Sequence, residues 1–181
     1  MAGITIECVE EIAYKYAKDR LEFANQPIPP FEEREPGVLE SCINSQYAGF
    51  GGEELHKTLF EKAAWIFYSM IKNHPFVNGN KRIALTTLLV MLFLNGDWRY
   101  IEENGKNKYE AKYWWPKSSN YELYMFAAWI AESPPELHKS VLKIILEFLH
   151  KNLEMVSSSG YIRPVEVAAH SRQLRKYIKA E

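Results

Sequence analysis

An all-α bundle packed around one buried central helix, with a small β-hairpin insert, is the fold this sequence predicts. Three observations predict it. Apolar residues recur at helical spacing along most of the chain. The stretch Ile83–Leu94 is almost continuously apolar, and reads as a core helix. Between 97 and 120 the pattern changes: Trp98, Tyr100, Tyr109, Tyr113, Trp114 and Trp115 flank Asn104-Gly105, a pair that favours a type I′ hairpin turn.

Each element has its own local signals. Val9, Ile12/Ala13 and Tyr16/Ala17 give an amphipathic first helix. Pro27, Pro29, Pro30 and Pro36 make 25–37 a loop, and 38–45 a short helix that ends at the turn Gly49-Phe50-Gly51-Gly52. Phe60, Ala63/Ala64, Phe67 and Ile71 mark a strong helix. Pro75 and Gly79 force a loop, and Asn80 opens a helix that runs to Leu94 and stops at Asn95-Gly96. Helical spacing resumes over 121–131 and again from Glu136 (Val141/Leu142, Ile145/Leu146, Leu149), with Ser133-Pro134-Pro135 as the break. Ser157-Ser158-Ser159-Gly160 reads as a hinge. Beyond it, Pro164 can begin a helix lined by Val167, Ser171, Leu174 and Ile178. Residues 151–181 hold six Lys/Arg against three Glu, so they read as a basic helical tail to a domain spanning 1–150.

Composition narrows the function. With 181 residues, 47% of them apolar, the chain can bury one good core. A net charge of −1 gives no field that recommends nucleic acid, so any phosphate site must be local. Cys8 and Cys42 make no disulfide framework, which favours a reduced, intracellular setting. Glu7, Glu10 and Glu11 interrupt any signal-peptide core, and the longest apolar stretch falls short of the ~20 residues that span a bilayer. A cytoplasmic protein without membrane association is expected. His56, His138, His150 and His170 have no metal-ligand spacing and read as surface residues. Tyr113-Trp114-Trp115 reads as an aromatic face that packs the insert onto the core.

The chemistry concentrates in His74-Pro75-Phe76-Val77-Asn78-Gly79-Asn80-Lys81-Arg82. Small residues just before a helix expose backbone N–H groups at the positive end of its dipole, a nest for an anion. Lys81 and Arg82 stand in the first turn, where the dipole disfavours cations by a few tenths to ~1 kcal/mol. Stability alone would place acids there; two cations make sense when phosphate is the guest, held bidentately by Arg82 and as a point charge by Lys81. His74, just upstream, is placed to take a proton from an attacking hydroxyl. Phe76 would anchor the loop in the core.

This run resembles the signature of the Fic/Doc superfamily, H-x-F-x-[D/E/N]-[G/A]-N-[G/K]-R. Glu35-Pro36-Gly37-Val38-Leu39-Glu40-Ser41 and Phe50-Gly51-Gly52-Glu53-Glu54-Leu55 are similar to its Doc ("death on curing") branch, so the likeness covers roughly 4–96 and 121–150. It implies the Fic fold, His74 as catalytic base and Phe76 as buried anchor. It also implies phosphate contacts from Asn78, Gly79, Asn80, Lys81 and Arg82, and a flap at Phe50, Gly51 and Gly52 that docks the target beside the active site. The AMP-transferring members resemble G-N-G-R-x-x-R; here Lys81 replaces the glycine and Leu85 the second arginine, which is the Doc pattern. The resemblance then implies a toxin or regulatory kinase that moves the γ-phosphoryl of ATP or another nucleoside triphosphate, with Mg²⁺, onto a Ser/Thr hydroxyl of a protein. A translation elongation factor is the family's target class, and an antitoxin its usual restraint; the insert or the tail could serve that role internally. Asn78 stands where many relatives carry the Asp or Glu that holds Mg²⁺, so metal would ride mainly on the nucleotide. The alternatives are AMP transfer (AMPylation) and a binding module with an inactive loop.

Overall fold

The computed structural model describes residues 3–161. Helix α1 (residues 6–21) starts as α-helix at Ile6–Cys8 behind a Thr5 cap, continues as π-helix over Val9–Tyr14 and returns to α-helix at Lys15–Leu21. The wider π turn brings Val9, Ala13 and Ala17, four residues apart, onto the core, and it swings Tyr16 out to solvent. That departs from the regular helical stripe expected, which included Tyr16.

Helix α2 (Val38–Asn44) comes after a loop that contains one 3₁₀ turn at Phe31–Glu33. A second 3₁₀ turn, Ser45–Tyr47, leads into a miniature hairpin of β1 (Gly49–Phe50) and β2 (Glu53–Glu54). Helix α3 (Leu59–Asn73) opens with a capping box: the Thr58 hydroxyl accepts from the Glu61 amide, while the Glu61 carboxylate accepts from the Thr58 amide at 2.8 Å. Helix α4 (Asn80–Leu94) packs against α3 and is the predicted central helix, with Ile83, Ala84, Leu85, Leu88, Met91 and Leu92 buried. The six-residue connection 74–79 between these two helices makes them antiparallel neighbours.

The insert is a hairpin, as expected, and more. Strands β3 (Asp97–Glu103) and β4 (Lys106–Pro116) pair antiparallel about Asn104-Gly105, both at positive φ (53° and 69°) as a type I′ turn requires. After α5 (Asn120–Glu132), a 3₁₀ turn at Pro135–Leu137 and α6 (His138–Asn152), the chain returns as β5 (Leu153–Tyr161) along the other edge of β4. The sheet order is β3-β4-β5. Ser157-Ser158-Ser159-Gly160 is therefore strand, not hinge, paired with Lys112 back to Tyr109. Composition suggested flexibility, but β4 offers a long open edge whose backbone groups these residues satisfy. So 151–181 is not a wholly helical tail: its first residues end α6 and enter the sheet. The helix expected after Pro164 lies outside the described residues.

The sheet is fastened by its aromatics. Tyr113 packs on Phe93 at 4.9 Å between ring centres, and Trp114 meets Phe60 edge-on at 5.2 Å, while Trp115 remains exposed. His150 contacts Phe60, and His56 stacks on Trp65, so both have aromatic partners. Among the described residues no helix is long and apolar enough to cross a membrane.

Candidate active site

The connection from α3 to α4 is pinned before it begins. At the end of α3, the Lys72 ammonium donates to the Ala131 and Ser133 carbonyls (3.1 and 2.6 Å) at the C-terminus of α5, where a cation is favoured. The Asn73 amide donates to the Cys42 sulfur at 3.5 Å. His74 then leaves the helix at φ 51°, ψ 59°. Pro75 disfavours the right-handed helical region for the residue before it. Here the outcome is the left-handed region rather than extended chain, a conformation that costs a non-glycine residue of order 1 kcal/mol or more. The turn leaves the imidazole exposed.

Asn80 organises the rest of the loop. Its Oδ1 accepts the Phe76 amide at 2.9 Å and its Nδ2 donates to the Phe76 carbonyl at 2.6 Å. These two bonds fix which end of the amide is which. The same Nδ2 lies 3.3 Å from His74 Nδ1, and the donor and acceptor roles in that contact follow the imidazole tautomer. Asn80 thus ties the expected base to the expected anchor. Phe76 itself is buried between Tyr14 and Phe31, at ring-centre distances of 6.2 and 5.8 Å.

Around this staple the proline-rich segment forms a wall. The Glu35 amide donates to the Pro75 carbonyl at 2.8 Å, and the Asn78 side-chain amide donates to the Pro27 carbonyl at 2.9 Å. Asn78 Oδ1 accepts the Gly79 amide at 2.7 Å. Gly79 sits at φ 82°, and a Cβ there would lie 3.0 Å from Ile28 Cγ1, so both its conformation and its surroundings call for glycine. Asn80, Lys81 and Arg82 are the first three residues of α4, and their amides have no intrahelical acceptor, whereas the Gly79 amide, expected in the nest with those of Asn78 and Asn80, is taken by Asn78 Oδ1.

The two cations differ. Lys81 is half-buried on the first turn. Arg82 is only 6% exposed; its guanidinium donates to the Leu21 carbonyl at 3.0 Å and lies over the Phe23 ring. Burial lowers its pKa from the usual arginine value, partly offset by Tyr124 and Glu22 nearby. The structure therefore draws His74, Phe76, Asn78, Gly79 and Asn80 into one hydrogen-bonded loop. It turns the Arg82 head toward the end of α1.

The flap does not join this group. Glu54 pairs with Lys62 at 3.0 Å, and the Lys62 side chain, 7% exposed, also lies over the Tyr47 ring. Lys62 is twelve residues before His74 on the same helix run, roughly 18 Å along its axis. Phe50, at 85% exposure, marks the tip of a two-residue hairpin at that far end. An open groove of about 320 Å³ lined by Phe60, Trp114, Leu146 and His150 also lies at the start of α3, where the sheet meets the helices.

Sequence reasoning missed the wall. Leu21, Pro27, Ile28, Phe31 and Glu35 all touch or bond the loop or its cations, and they were legible only as the end of a helix and a proline-rich connection. Lys72 and Asn73 were also missed. Among the described residues no three His, Cys, Asp or Glu side chains come together as a metal site.

The site is thus a histidine tied, through Asn80, to the N-terminus of a helix in one hydrogen-bonded loop. The Fic/DOC family model matches residues 7–92 of the chain. Over 63 residues the chain is 33% identical to "Toxin Doc" of Mycolicibacterium smegmatis, which is 35% of this chain. The chain spans about half the length of that relative, 48% of it. None of the solved structures matches.

Proposed function

We propose that this protein is a Doc-like transferase that moves the γ-phosphoryl of a nucleoside triphosphate onto a Ser/Thr hydroxyl of another protein. The observation that carries the reading is the Asn80 staple, which holds His74 against the nest formed by the Asn80, Lys81 and Arg82 amides. The polyphosphate lies in the nest, with Lys81 beside it. His74 takes the proton of the target hydroxyl. The new bond joins that oxygen to the γ-phosphorus, and the bond from phosphorus to the β–γ bridging oxygen breaks, releasing nucleoside diphosphate. Positioning and charge neutralisation carry such a transfer.

Leu85 supports γ- over α-transfer. It is buried one turn after Lys81, so a hydrocarbon fills the position where the AMP-transferring pattern has its second arginine. Asn78 does not fit a magnesium ligand: its amide nitrogen faces the Pro27 carbonyl, and its oxygen is engaged with the Gly79 amide. No carboxylate stands in the loop, and no step above passes through a metal. The likeness to "Toxin Doc" supports a toxin restrained by an antitoxin, while the cytoplasmic setting and a translation factor as target remain what the sequence resemblance implies. The exposed Phe50-Gly51-Gly52 tip supports target contact remote from the reacting atoms.

Labelling lysate with α- or γ-labelled ATP tests the reading. Target label from the γ position only, abolished by His74→Ala, is expected. Label from the α position only would replace it with AMP transfer, and labelling or toxicity unchanged in His74→Ala would remove catalysis by this loop.

A further inference from the structure

We propose that Asn78 is a positioning residue that straps the active loop to the proline-rich segment, and that this strap is why an amide rather than a carboxylate stands there. The bond from Asn78 Nδ2 to the Pro27 carbonyl joins positions 51 apart in sequence. The acceptor can only accept, so the amide must present its nitrogen to Pro27 and its oxygen to the Gly79 amide, 2.7 Å away. Aspartate at 78 could keep the second bond, but its other oxygen would face the Pro27 carbonyl where an N–H now lies. The charge that would improve a metal ligand would therefore cut the strap.

The strap holds the turn itself. Gly79 is the N-cap of α4, in the left-handed region, and it lies so close to Ile28, the residue after Pro27, that a side chain there would press on it. The segment that receives the strap is itself fixed: the Ile28 amide donates to Glu22 at 2.8 Å and the Tyr14 hydroxyl donates to the Pro29 carbonyl. Asn78 thus carries the position of a rigid wall into the start of the nest. Asn80 fixes the loop from inside, through Phe76 and His74; Asn78 fixes it from outside.

The test compares Asn78→Asp and Asn78→Ala with the parent chain in three measurements. The strap predicts that both variants speed hydrogen exchange at the Gly79 and Asn80 amides about five-fold, the equivalent of one hydrogen bond of about 1 kcal/mol. It predicts that Asn78→Asp gains no tight Mn²⁺ site by electron paramagnetic resonance of nucleotide-free protein. It predicts a several-fold rise in KM for ATP with the smaller change in kcat. The KM measurement rests on the transferase reading; the other two do not, so the two ideas fail separately. Parental exchange rates in both variants would overturn the strap. So would an Asn78→Asp chain that binds Mn²⁺ tightly and turns over faster, because Asn78 would then be an impaired metal ligand.

Discussion

Replacing Asn80 with alanine removes three contacts at once: the acceptor for the Phe76 amide, the donor to the Phe76 carbonyl and the contact with His74 Nδ1. The Phe76 contacts are buried, so alanine leaves one N–H and one C=O without partners or water. Each such group costs about 1–3 kcal/mol. Allowing for partial rehydration of a loop whose neighbour His74 is exposed, the expected loss is roughly 2–4 kcal/mol. That is a large part of the ~5–15 kcal/mol that holds a typical domain folded. Urea denaturation measures it: with a slope of ~2 kcal/mol/M, the midpoint should fall by about 1–2 M. Lys81→Ala, on the same turn, should move it little. A loss below about 0.5 kcal/mol for Asn80→Ala, within the range of ordinary surface changes, would show that Asn80 does not hold the loop.

Three further outcomes rest on single features. Gly79→Ala should cost ~1–2 kcal/mol for the left-handed backbone alone, before the approach to Ile28 is counted, and a thermal-shift measurement should show the lower midpoint. The Glu61 carboxyl is held below the usual carboxylate range, chiefly by the Thr58 amide it accepts from. Its contribution is thus full above the unfolded value, near ~4.3, and lost as pH falls through the folded one. The stability gap between the parent chain and Glu61→Gln, read by urea midpoints, should accordingly shrink as pH is lowered from 7 to about 3. Burial, helped by Glu7, pushes the Cys8 thiol up to about 12, and burial also raises Cys42. Neither should react with a thiol reagent at neutral pH until urea unfolds the protein; rapid native labelling would contradict their placement in the core.

Much of this molecule is legible because its signals are local. Thr58-x-x-Glu61, Asn104-Gly105 and the apolar run to Leu94 each declare a start, a turn or a core without reference to distant residues. The loop from His74 to Arg82 is legible in the same way, since nest and cations are contiguous. The wall is different. That Pro27 accepts from Asn78, and Glu35 donates to Pro75, depends on how residues dozens of positions apart meet in space. Ser157–Gly160 failed for a related reason: its conformation is set by the open edge of β4, not by its own small side chains. Arg82 reads by type as a candidate phosphate contact, while its bond to the Leu21 carbonyl depends on where α1 ends.

These contacts also decide where the site is rigid. The loop is tied at Lys72 and Asn73 before His74, at Pro75, Phe76 and Asn78 within it, and at Gly79 where α4 begins, and its anchor Phe76 belongs to the same core as Tyr14 and Phe31. Opening it means disturbing that core, so its geometry should persist as long as the fold does. The flap rests on much less: a two-residue ladder, the exposed Glu53–Lys57 pair and the Lys62–Glu54 pair. Exposed pairs contribute little, and only Lys62 is buried enough for its partner to matter. A site divided this way holds His74 and the start of α4 in a fixed relation. The less firmly held part is the exposed tip at Phe50.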